Sequence, residues 1–184
     1  LLVPAGNSQR QVAMTAFGSG LLAVWQDSRN VEQHADDLFA ARISSDGQLL
    51  TEPFPVAVDP AFQGFASVAA NKSMALVAWY DERNGSSIRA ARIDPTGTVL
   101  DSTPLVIAED TGGLVNSLSF PVVATDGKSF VVLYSDLRDD TLRVVHVAVD
   151  GVVSPSKIVR QGNGTADLAF GGGVERRGRL VEDQ

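Results

Sequence analysis

Residues 76–97 read LVAWYDERNGSSIRAARIDPTG, and the chain writes a version of this passage three times. Upstream, residues 22–47 read LAVWQDSRNVEQHADDLFAARISSDG, and downstream, residues 131–151 read VVLYSDLRDDTLRVVHVAVDG. The anchors are Trp25, Trp79 and Tyr134, spaced 54 residues (25 to 79) and 55 residues (79 to 134). Two positions after each anchor stands an acid (Asp27, Asp81, Asp136), and two further on an arginine (Arg29, Arg83, Arg138). AARI follows at 40–43 and 90–93, matched loosely by VHVAV from Val145, and Gly47, Gly97 and Gly151 close the units. A fixed period of this length is the mark of a repeat architecture, so it governs the fold reading.

Within the second unit four apolar segments stand out, at 67–70, 74–80, 88–93 and 105–108, separated by turn chemistry. Short segments rich in Val, Ile, Ala and aromatics, with turns every ten or so residues, predict strands, and Asn84-Gly85 is a two-residue hairpin signal. The second strand of each unit (LLAVW, ALVAWY, FVVLY) does not alternate with polar residues, which predicts cover on both faces. The fourth contains or follows proline in every unit (Pro53 and Pro55, Pro104, Pro155). Proline removes a ladder donor, so this strand belongs at an edge.

A four-stranded antiparallel meander of this length, buried in its middle and ending on an edge strand, is a β-propeller blade. The W-x-D-x-R and A-R-I-x-x-x-G pattern resembles the blade repeats of bacterial secreted or cell-surface β-propellers, over residues 11 to 160. The resemblance implies an extracellular or cell-surface setting and leaves function open, because propellers host many unrelated activities. Two other blade signatures are missing. Ser44-Ser45-Asp46-Gly47 lacks the spacing and the tryptophan of a sialidase Asp-box, and no D-x-D-x-D-G calcium loop occurs. The expected organisation is an N-terminal segment or closing strand (1–10), blades at 11–64, 65–116 and 117–164, and a partial fourth blade or tail at 165–184. Closed rings have four to eight blades. Three and a fraction predict two uncovered apolar faces, to be completed by more of the same chain or by association of chains, two of which would give a ring of about seven blades.

Composition narrows the function classes. With 184 residues, 44% of them hydrophobic, the chain is long enough to bury a core. A net charge of −7 disfavours nucleic acid and anionic membrane surfaces. There are no cysteines, which excludes thiolate metal sites and thiol catalysis, and no apolar run approaches bilayer length. Neither a metal constellation nor a cofactor motif is written in the sequence.

An even number of strands per blade places the loops between strands 2 and 3 at the same end as the connections between blades. These loops carry most of the acids: Asp27, Glu32, Asp36, Asp37, Asp59, Asp81, Glu82, Glu109, Asp110, Asp136, Asp139 and Asp140. One acidic face is therefore predicted, and loops on a rigid scaffold are where function resides. Asp27, Arg29, Asp81, Arg83, Asp136 and Arg138 are the candidate ligand-binding residues. The competing reading has each Asp capping its turn and each Arg bonding a neighbour, since an element copied at equivalent positions does the same structural job each time. Arg89 and Arg143 are placed to reach Asp81 and Asp136 across the strands, where the first unit has Phe39. Trp25 and Trp79 sit at the ends of doubly buried strands and are expected to pack. His146 replaces Arg42 and Arg92 of the other units, as drift at a structural position. Sequons at Asn71, Asn84 and Asn163 fall in turns and matter only in a glycosylating secretory pathway. No nucleophile motif is present, so the residues favour a noncatalytic binding or adhesion module for a protein or glycan ligand. Two alternatives remain: part of a secreted, glycan-active propeller hydrolase, and an architectural partial propeller that self-associates through exposed blade faces.

Overall fold

The computed structural model describes residues 8–83, 85–110, 112 and 117–159, and these contain strands and turns with no helix. Residues 1–7, Asn84 and Asn163 of the sequons, and the expected partial blade at 165–184 lie outside the described residues. Twelve strands form three antiparallel meanders, each of four strands in sequence order. Blade 1 comprises β1 (Gln9–Phe17), β2 (Gly20–Asp27), β3 (Asp37–Ser44) and β4 (Phe54–Ala57). Blade 2 comprises β5 (Gln63–Ala70), β6 (Ala75–Asp81), β7 (Ser87–Ile93) and β8 (Leu105–Glu109). Blade 3 comprises β9 (Val122–Thr125), β10 (Phe130–Asp136), β11 (Thr141–Val147) and β12 (Lys157–Val159). The fourth strands are edges: β4 contains Pro55, whose missing donor suits that place, and Pro104 and Pro155 precede β8 and β12.

Two strand-level expectations change. The β6–β7 pairing runs to Asp81 opposite Ser87, so the connection is the five residues 82–86 rather than a two-residue turn. The inner strand of blade 2 begins at Gln63, four residues before the apolar pattern does, because a bulge between Gly64 and Ser67 breaks the alternation.

The blades pack face to face along the chain, with β1 against β5 and β5 against β9 on the inner side. Leu22, Val24, Leu38 and Ala40 of blade 1 meet Ala75, Val77, Trp79, Ala91 and Ile93 of blade 2. The other face of blade 2, with Leu76, Ala78, Ile88 and Ala90, meets Phe130, Val132, Tyr134, Val145 and Val147 of blade 3. Every residue of β6 is buried, which is why its sequence needs no polar alternation. In β10 burial alternates, and Val131 and Leu133 on the side away from blade 2 are only half-buried.

Among the described residues the arc stays open, yet only one of its two ends is uncovered in the expected way. On blade 1 the far face is closed within the chain: Trp25 is 1% exposed and Phe39 7%. The Arg29 guanidinium lies 3.8 Å over the Phe39 ring, and Leu49 packs beside it. A cation over an aromatic face and a leucine at its rim do part of the work expected of a neighbouring blade.

A second device joins successive blades. Arg42 of β3 donates to the carbonyl of Pro95, in the turn after β7, and Arg92 of β7 donates to the carbonyl of Val149, in the turn after β11, at 2.9 Å. Gly97 and Gly151 close these turns at φ of +96° and +91°, a region that penalises a side chain. A Cβ on Gly151 would lie 2.8 Å from the Arg92 guanidinium carbon, whereas one on Gly47 would meet nothing. His146 occupies the corresponding place in blade 3 and is exposed.

Candidate functional site

The described parts of the loops, residues 28–36, 58–62, 82–83, 85–86, 110, 112, 117–121 and 137–140, lie at one end of the arc, tied by backbone bonds. Gln63 N–H donates to Asp36 O (2.8 Å), Ala35 N–H to Pro60 O (3.2 Å) and Leu137 N–H to Ser117 O (2.8 Å). Ser117 N–H also donates to Ser86 Oγ at 2.9 Å, linking blade 2 to the connection that leads into blade 3.

The repeated D-x-R builds the same closed fork at this end in every blade. Arg29 donates Nε and Nη2 to the two oxygens of Asp27 (3.0 and 2.7 Å), and its backbone N–H to Oδ1 (2.9 Å). Arg83 and Asp81 repeat this at 2.8, 2.7 and 3.0 Å, and Arg138 and Asp136 at 2.8, 2.7 and 3.2 Å. In the first two blades the anchor joins in: Trp25 Nε1–H donates to Asp27 at 2.9 Å and Trp79 Nε1–H to Asp81 at 3.0 Å. Spacing of two along a strand puts anchor and acid on one face, so the indole, the carboxylate and the turn form one bracket. The bidentate fork is the strong form of this contact.

Blade 3 reaches the same end by other atoms. Tyr134 has no indole N–H, and Arg143, opposite it in the ladder, brings Nε to 3.0 Å from Asp136 Oδ2 as an ion pair without hydrogen-bond alignment. Arg143 thus makes the cross-strand contact anticipated for Asp136. Arg89 does not make it for Asp81: it pairs with Glu109 on β8 instead, leaving Asp81 to the indole. Asp136, Arg138, Arg143 and Tyr134 line an open cleft of about 460 Å³ between the outer parts of blades 2 and 3.

The electrostatics follow from these contacts. Burial pushes the Asp27 carboxyl up, but donors from Arg29 and Trp25 outweigh it and hold the group below the usual carboxylate range. Asp136 is held low chiefly by the Arg138 fork, against the opposing effect of burial. Asp36, which accepts from Ser28, Gln26 and Arg10, is likewise raised by burial and lowered further by its donors.

The acidic face is therefore much weaker than its composition implies. Asp27, Asp36, Asp37, Asp81, Asp110 and Asp136 are all buried, most of them occupied by arginines, hydroxyls or backbone donors. Glu32, Asp139 and Asp140 remain exposed, with Glu82, Asp59 and Glu109 partly so. His34 Nδ1 lies 3.3 Å from Asp37 Oδ1 in the first loop, far from His146. The sequon Asn71 spends its side-chain oxygen on the backbone N–H groups of Ser73 and Met74 and so holds the β5–β6 turn. Among the described residues no three carboxylate or imidazole groups are placed to hold a metal ion.

Sequence reasoning missed one cluster at this end. Phe65 and Phe120 stack with ring centroids 3.6 Å apart and planes 15° from parallel. Phe62 leans on Phe65 at 5.8 Å, and Tyr80 meets Phe120 edge-on at 5.9 Å. The signal was available in the period: Gln11, Phe65 and Phe120 are spaced 54 (11 to 65) and 55 (65 to 120), as the anchors are.

No family model matches the sequence, and no curated protein is similar to it. Among solved structures, the chain is similar to an α-L-arabinofuranosidase from Lactobacillus brevis, with a TM-score of 0.53 and 11% identity over 79% of this chain. It also matches a subtype N11 neuraminidase-like protein of A/flat-faced bat/Peru/033/2010 at 12% identity over 83% of the chain, with a TM-score of 0.41. The chain spans about half the length of these structures, 55% and 53% respectively. At 11% identity the likeness to the first of these is one of fold alone.

Proposed function

We propose that the chain is a noncatalytic binding module that holds its ligand, a glycan or a protein, at the loop end of the blades. The observation that carries this reading is the closure of the D-x-R forks. Their carboxylates are at most 2% exposed and already accept from the paired guanidinium and the arginine backbone. A carboxylate so occupied by donors is ill-suited to move protons in a reaction. The same forks fix the loops they begin, and a recognition surface gains affinity when its loops need no ordering on binding. Asp27, Arg29, Asp81, Arg83, Asp136 and Arg138 then serve the ligand as the frame of the surface, with Arg138, the most exposed of the three arginines, available at its rim.

The repeat pattern supports an extracellular or cell-surface setting, and no helix is long and apolar enough to cross a membrane among the described residues. The carbohydrate named by the first solved structure puts glycans among the ligands to test. The test is a screen of immobilised glycans and bacterial surface proteins, read by calorimetry and by mass analysis of the ligand afterwards. Saturable binding that leaves the ligand intact is expected. Chemical turnover abolished by Asp81→Asn would replace this reading with that of a hydrolase.

A further inference from the structure

We infer that the aromatic recess on the inner side of the loop end is a carbohydrate subsite, in which Phe120 stacks on the face of an uncharged sugar ring. This deepens, and rests on, the binding function proposed for that end.

The first observation is positional. Gln11, Phe65 and Phe120 occupy equivalent places at the mouth of the inner strands, one from each blade. In β1 a register shift falls between Arg10 and Ala13, in β5 between Gly64 and Ser67. At these bulges Gln11 and Phe65 adopt φ of +52° and +55°, a conformation that costs free energy for any residue but glycine. A bulge re-aims a side chain, and here both are aimed to one spot: Phe65 N–H donates to Gln11 Oε1 at 3.3 Å, and Phe120 stacks on Phe65.

The second observation is exposure. Phe120 is 50% exposed although its ring stacks on Phe65 and lies nearly perpendicular to that of Tyr80, at 82°. A ring held by one stacked and one perpendicular neighbour and still half exposed is a fixed platform. Val12 and Met14 of β1 and Val122 of β9 are also exposed along the inner strands, so the wall that runs on from the platform is apolar.

The third is the polar rim. Gln11 uses its oxygen on Phe65, leaving the Nε2 donors without a partner among the described residues. Arg10 binds Asp36 through Nη2 while its side chain stays 51% exposed. Gln26 Oε1 is buried with no partner, against Gly64, where a Cβ would come within 2.6 Å of it.

An apolar ring beside a strand that carries amide and guanidinium donors, Gln11 and Arg10, matches a sugar, which has one C–H face and a rim of hydroxyls. A quaternary ammonium ligand is best held by a cage of several ring faces, and here stacking consumes the Phe65 face. Anionic sugars are disfavoured by the charge of −7 and by Glu82, whose backbone N–H donates to Phe62 O at 3.0 Å.

The test is isothermal titration calorimetry on the full chain with neutral oligosaccharides of xylose, arabinose, glucose and mannose, with choline and a hyaluronan oligosaccharide as charged probes. Binding of at least one neutral oligosaccharide in the millimolar range or tighter is expected. Phe120→Ala should weaken it about tenfold or more, Phe120→Trp should retain it, and Lys128→Ala at the opposite end should leave it unchanged. Thermal unfolding of each variant checks that the fold is intact. Neutral sugars that bind no better than buffer overturn the inference, as does choline binding that depends on Phe120. A ligand found in the broader screen that binds the loop end but ignores Phe120→Ala defeats the subsite and leaves the binding module standing. Absence of any ligand at that end defeats both.

Discussion

In the second blade the anchor is Trp79, its indole bonded to a fully buried Asp81, with β6 covered on both faces. In the third the anchor is Tyr134, the indole's place is taken by Arg143, and β10 is fully buried on one face and half-buried on the other. The same fork thus works inside packed protein and beside an open cleft. The difference teaches that the fork belongs to the turn, whereas the anchor belongs to the blade interface. In blades 1 and 2 a fully buried tryptophan donates to the carboxylate; in blade 3, beside the cleft, an arginine takes over the second carboxylate oxygen and keeps the charge compensated.

The sharpest way to break this comparison is to place a charge on each middle strand. Val77→Asp puts an unpaired carboxylate between blades 1 and 2 and is expected to cost about 5 kcal/mol or more, enough to abolish folding. Leu133→Asp, on the half-open face of β10, should cost only about 1–2 kcal/mol. Circular dichroism and urea unfolding compare them, and equal loss in both would mean that blade 3 is as fully covered as blade 2. Next in size is loss of the fork's charge. Asp81→Asn strips a buried acceptor from Arg83 and is expected to cost about 3 kcal/mol. Asp136→Asn should cost roughly half of that, about 1.5 kcal/mol, because Arg138 is 41% exposed and regains water.

Acid should reproduce these effects without mutation. Asp27, Asp36 and Asp136 all titrate below the ordinary value near 3.8 in the folded protein. A lowered folded pKa means stability that is present above the ordinary carboxylate range and lost as pH falls through the folded values. Unfolding free energy should therefore hold level near neutral pH and drop below about pH 4. The drop should be shallower in Asp136→Asn, as read from urea midpoints across pH. The blade-to-blade position gives a further contrast, and its blade 3 member is expected to show the smallest effect of all. Arg92→Met leaves Asp101 and the Val149 carbonyl without their partner and should cost about 2 kcal/mol. His146→Met, at the matching exposed position, should change stability by less than about 0.5 kcal/mol.

Much of the fold was legible because repetition multiplies weak signals. One W-x-D-x-R would say little, whereas three in register located β2, β6 and β10 and the loops that follow them. The doubly apolar β6 and the proline edges were readable from period and donor loss alone. The acidic face was misread for a physical reason: composition counts carboxylates, but cannot tell that Asp36 points inward to three donors or that Asp81 is wrapped by its own turn. The aromatic recess escaped because bulges break the alternation that marks a strand. Phe65 therefore read as loop, and its equivalence to Gln11 and Phe120 was hidden by unlike chemistry at the same place in the period.

The arginines at 42 and 92 carry one more consequence. In each lock the guanidinium belongs to the earlier blade and the carbonyl to the later one. A chain emerging from a ribosome makes each hook before the eye it will catch. Blade 1 therefore waits with Arg42 until the turn at Pro95 is synthesised, and blade 2 with Arg92 until Val149 appears. The direction of synthesis and the direction of locking coincide, so the arc is secured in the order in which it is made.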